Sequence, residues 1–77
     1  MKSFVFKSNL KCEGCIEQIQ LPLNQISGID HWEVDLLHPD KLIILHGELI
    51  DYKVVISKIG EAGYRLEYLP DFVLLNN

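Results

Sequence analysis

The stretch that decides the fold is SFVFKSNLKCEGCIEQIQLPLNQISG, residues 3–28. Its opening alternates, with Phe4 and Phe6 on one face and Val5 and Lys7 on the other, the period of a β-strand over Ser3–Ser8. From Cys15 onward Ile16, Ile19, Leu23 and Ile26 recur at steps of three and four, the stripe of an amphipathic helix that Ser27-Gly28 brings to a stop. Pro22 falls inside this helix, removes a backbone donor and crowds the carbonyl of Gln18, so a kink or a fresh start is predicted there. A strand therefore runs into a helix through a loop that carries Cys12 and Cys15.

The pattern then repeats in reverse emphasis. Ile29–Leu36 alternates, Trp32, Val34 and Leu36 facing one way and His31, Glu33 and Asp35 the other, as in a strand covered on one side. His38-Pro39-Asp40 is turn chemistry, and the nearly all-apolar Lys41–His46 reads as a central strand paired with the one before it. Asp51 is a good N-cap for a second helix with Tyr52, Val55, Ile56 and Ile59 inward, Gly63 is its left-handed stop, and Tyr64–Leu69 alternates as a last strand. The order βαββαβ fits an α+β, ferredoxin-like sandwich, a four-stranded antiparallel sheet with both helices on one face. Right-handed crossovers put the cysteine loop, the His38-Pro39 turn and the Gly63-Tyr64 loop at one end, and His31 and His46 toward the other.

With 77 residues and 48% hydrophobic side chains, the chain is one globular domain over residues 1–69 and an apolar tail over 70–77. The net charge of −4 and the scatter of Lys2, Lys7, Lys11, Lys41, Lys53, Lys58 and Arg65 argue against a nucleic-acid surface. That matters because such sheets also serve as RNA platforms. No run is long enough for a signal peptide or a membrane span, so a soluble, cytoplasmic protein without membrane insertion is expected. No Ser-His-Asp order, carboxylate pair or phosphate loop stands out, and no enzyme activity is expected. A small surface site must carry the function.

Cys12-Glu13-Gly14-Cys15 is that site. At a helix N-terminus Cys15 meets the positive end of the dipole and unpaired backbone donors, both of which favour its thiolate, and Lys11 adds positive charge nearby. Gly14 lets the loop bring both sulfurs to one point. Two thiolates without a third ligand suit a low-coordinate soft ion such as Cu(I), with Zn(II) or another soft divalent ion next. A closed structural zinc site needs four protein ligands, and the histidines lack that spacing. The competing readings are a redox protein cycling a Cys12–Cys15 disulfide, which ordinarily needs a larger fold and a Pro at the motif, and an interaction domain that no longer binds metal.

The chain resembles a known family in Asn9-Leu10-Lys11-Cys12-Glu13-Gly14-Cys15, Gly28-Ile29, Val34-Asp35, Pro39-Asp40-Lys41, Ile59 and Ala62-Gly63-Tyr64. These residues are similar to the heavy-metal-associated domain of copper chaperones and metal-transporting P-type ATPases, over about residues 3–69. The resemblance implies a carrier that holds one ion between Cys12 and Cys15 and passes it by thiolate exchange to such an ATPase or another metal-acceptor protein. It places Tyr64 beside the site as a shield, and makes Lys11, Tyr64, Gly14 and Gly63 the surroundings of the metal. Two departures stand out: Leu10 replaces the family's usual Met, a core plug that Leu can fill, and Lys11 stands where Thr or His is common.

Other residues have plainer readings. His38 lies at the metal end as a candidate extra ligand, although a turn histidine is ordinarily solvated. Trp32 reads as core or edge cover. The tail, with four consecutive apolar residues from Phe72 to Leu75, is expected either to pack on a sheet edge or on a second copy or to stay disordered. A homodimer bridged by one metal ion is the other route to self-association.

Overall fold

A computed structural model of the chain describes residues 2–11 and 13–72. Six elements follow in order: β1 (Lys2–Ser8), α1 (Glu13–Asn24), β2 (Ile29–Asp35), β3 (Leu42–Gly47), α2 (Tyr52–Glu61) and β4 (Leu66–Tyr68). The sheet runs β2-β3-β1-β4 with every neighbouring pair antiparallel. The architecture is the ferredoxin-like α+β sandwich expected from the alternation of periods, with the apolar β3 inside the sheet.

Cross-strand register explains which side is buried. Phe4 faces Leu45 and Phe6 faces Ile43, and Trp32 and Val34 face the same two β3 residues from the other strand. These side chains share one face, and there Phe6, Ile43, Leu45 and Leu66 form a single core with Ile19 and Leu23 of α1 and Val55 and Ile59 of α2. Trp32 is half-buried against this core and its indole N–H donates to Asn24 Oδ1 at 3.3 Å, the edge-cover role expected of it.

Two boundaries differ from the periodic reading, each because a contact from elsewhere in the fold overrides a local preference. Helix α1 runs through Pro22 as one element, so of the two expected outcomes the fresh start does not occur. A proline in a helix interior costs about 3 kcal/mol. Against that, Ile19, Leu23 and Ile26 are all buried, and burying side chains of this size contributes about 1.5–3 kcal/mol each. Strand β4 begins at Leu66, not Tyr64, because the Arg65 N–H donates at 2.9 Å to Asn9 Oδ1 instead of joining the ladder. Val5, on the face away from the helices, is only 3% exposed, as is Leu42.

Past β4 the chain folds back. Leu69 N–H donates to Val5 O at 2.9 Å, Phe72 N–H returns to Leu69 O at 3.2 Å, and the Phe72 ring meets His38 edge-on with centroids 6.0 Å apart. Phe72, at the start of the tail, thus touches the domain at His38. The remainder of the tail, 73–77, and the self-association expected of it lie outside the described residues. Among the described residues no helix is long and apolar enough to cross a membrane.

Asp51 caps α2 as anticipated, its Oδ1 accepting the Lys53 N–H at 2.9 Å. The side chain is exposed, so Asp51→Ala removes the cap without opening the core. A loss of about 1 kcal/mol is expected in urea unfolding, and an unchanged midpoint would show that the helix start is held by packing alone.

Candidate metal centre

The end of the domain that carries the cysteine loop is built from three connections tied by backbone groups. Ser8 N–H donates to Asp40 O at 3.0 Å, joining the end of β1 to the β2–β3 turn. Asn9 Oδ1 accepts the Arg65 N–H and joins the same loop to the segment after α2. The β2–β3 turn is itself braced: Asp35 Oδ1 accepts from the Leu37 and His38 N–H groups at 3.1 and 3.3 Å, and Lys41, at φ 49°, sends its Nζ to Leu36 O at 2.8 Å. Lys7 and Asp40 add an exposed ion pair at 3.7 Å, worth little by itself.

On this frame Leu10 is 1% exposed and sits in the core under the loop, which is the plug role expected of it. Lys11 follows, exposed. Cys12 lies outside the described residues. Gly14 and Cys15 are the second and third residues of α1, so Cys15 stands in the first turn, where backbone N–H groups have no intrahelical acceptor and the dipole is positive. Its side chain is half-buried and rests against the core. That position excludes part of the solvent without sealing the residue into the core.

Gly63 terminates α2 at φ +95°, and a Cβ there would meet open space. Its role is therefore backbone conformation rather than close approach. Tyr64 follows, half-buried against the core, and its hydroxyl donates to Gln18 Oε1 at 2.5 Å. Gln18 lies one turn beyond Cys15, so Tyr64 spans from the exit of α2 to the helix that bears the cysteine. Beside it opens a shallow cleft of about 390 Å³ lined by Asn9, Gly60, Gly63, Tyr64 and Arg65 among others.

His38 is placed at this end, but its Nδ1 accepts the Asp40 N–H at 3.0 Å and its ring packs on Phe72. Both contacts are those of a turn-forming side chain. His31 and His46 pair near the start of β1, where His46 faces Ser3. Among the described residues no three Cys, His, Asp or Glu side chains form a preassembled group for a metal. Asn9 belongs to the cysteine motif and Gln18 to no motif, and the contacts by which they position the loop and Tyr64 carry no local sequence signal, since their partners are 56 and 46 residues away.

No protein-family model matches the chain and no curated protein matches it at a significant level. Solved structures do. The yeast copper transporter domain CCC2A, solved in apo and Cu(I)-loaded states, superposes with a TM-score of 0.79 at 15% identity over 94% of this chain and 100% of that one. The N-terminal domain of ZntA in its Zn(II) form gives 0.76 at 17% over 88% and 92%. The first domain of the human copper chaperone for SOD1, in its Cu(I)-loaded form, gives 0.70 at 20% over 86% and 89%. The chain has the fold of heavy-metal-associated domains, as its resemblance in sequence implied.

Proposed function

We propose that this domain carries a soft metal ion, Cu(I) foremost and Zn(II) next, between the thiolates of Cys12 and Cys15, and delivers it in the cytoplasm to a metal-transporting P-type ATPase or another metal-acceptor protein. The observation that supports this most directly is the place of Cys15: half-buried in the first turn of α1, at the loop end of a fold shared with Cu(I)-loaded and Zn(II)-bound domains. The two sulfurs supply soft anionic donors, the helix dipole and Lys11 offset their charge, and Tyr64 limits access from one side.

Transfer needs no change of oxidation state. An acceptor thiolate binds the ion, one of this chain's thiolates leaves it, and a second exchange completes delivery. Because the ion stays coordinated throughout, it is never released among the thiols of the cytoplasm.

An anaerobic competition titration of the reduced chain against chelators of known affinity tests the reading. One equivalent of Cu(I) is expected, held more tightly than Zn(II) by several orders of magnitude. Failure to hold either ion, together with a readily reversible Cys12–Cys15 disulfide, would replace it with a thiol-redox function.

A further inference from the structure

The face of the sheet opposite the helices carries a second set of metal-binding side chains at the end remote from the cysteine loop. His31 of β2 and His46 of β3 are direct cross-strand partners. Their rings stack, centroids 5.5 Å apart and planes 21° from parallel. An ion bound by two imidazoles lies in the plane of each ring, with ring centres roughly 5 Å apart, so the two side chains stand at a chelating distance and the His31 ring turns out of the stack to share the ion. Glu33, two residues along β2 on the same face, touches His46 Nε2 through Oε2 at 2.8 Å. On the far side of the ring Ser3 Oγ lies 2.9 Å from Nδ1.

The geometry points to a second metal site here, formed by His31, His46 and Glu33, that takes a borderline divalent cation such as Zn(II). Imidazole and carboxylate donors favour borderline ions over Cu(I), so this site and the thiolate pair select different metals. No three donors are preassembled. The ion instead replaces the His46–Glu33 hydrogen bond, taking Nε2 and leaving the carboxylate beside it as third ligand. His46 then carries its hydrogen on Nδ1 and donates it to Ser3 Oγ, the outer-sphere hydrogen bond that fixes the tautomer of a ligating histidine. His31 is exposed and its ring nitrogens have no hydrogen-bond partner among the described residues, so turning toward the ion gives up only its stacking on His46. Remaining positions are open to water.

The test uses the full chain with both cysteines changed to serine, which leaves the thiolate site out of the readout. Zn(II) titrated by calorimetry is expected to bind at one equivalent and to raise the thermal midpoint as its concentration rises. His31→Ala and His46→Ala should each abolish that saturable binding, and Ser3→Ala should weaken it by about tenfold or more. His38→Ala should leave it unchanged. Absence of saturable Zn(II) binding would overturn the site, as would an affinity unaffected by His31→Ala in a variant whose metal-free midpoint shows it to be folded.

Discussion

Cys15→Ser is expected to weaken Cu(I) retention by about two orders of magnitude or more, with little change in fold. A serine hydroxyl is a hard donor that stays protonated near neutral pH, so a two-thiolate site loses half of its soft ligand set. Cys15 is half-buried at the margin of the core and belongs to the first turn of α1, not to the fully buried layer of Phe6, Ile43, Leu45 and Ile59. Replacing its sulfur therefore costs stability of only about 1 kcal/mol or less. Cys12→Ser should have the same effect on retention. The measurement is Cu(I) competition paired with urea unfolding of each variant. Unfolding of either one would show that the pair is a structural element, and retention at wild-type strength would remove the cysteines from the site.

The largest stability effect is expected at a place with no chemistry. Gly47 closes β3 where the chain leaving α1 crosses it, and a Cβ at Gly47 would lie 2.0 Å from Gly28 O. Gly28 is itself at φ +94° with its own virtual Cβ 2.5 Å from Leu49 O. Two backbones thus meet at a contact that admits no side chain on either residue, and relief would have to come from moving backbone. Gly47→Ala is predicted to cost about 3 kcal/mol or more, a large part of the roughly 4–12 kcal/mol expected of a domain this size. Gly60→Ala is the control. It lies inside α2, a Cβ there meets nothing within 4 Å, and the helix should gain about 0.5–1 kcal/mol. Urea midpoints that move in opposite directions for the two variants would bear this out, and a mild Gly47→Ala would mean that the crossing is looser than its geometry implies.

Much of the fold is legible because burial and periodicity agree. Phe4 and Phe6, Trp32 and Val34, and Val55 and Ile59 recur at the period of the element that holds them, and each set faces the core. Asp51 and Gly63 punctuate α2 where their chemistry says they should. The reading fails where a distant partner overrides a local preference. No new helix starts at Pro22 because its neighbours are held by the core, and Arg65 does not extend β4 because its N–H belongs to Asn9.

The candidate site divides in the same way. Its proposed donor chemistry, two thiols flanking Glu13-Gly14 at the start of a helix, is a property of adjacent residues, and so the sequence by itself determined where these thiols stand and which end of the molecule carries them. Only the tertiary structure decided what surrounds that loop and what lies across the sheet from it. Tyr64 meets Gln18, Asn9 pins Arg65, Phe72 folds back on His38, and His31, His46, Glu33 and Ser3 gather on one open face. These contacts join residues far apart in the chain, and strand register sets them. Register follows from packing the whole core at once, which no local window of residues contains.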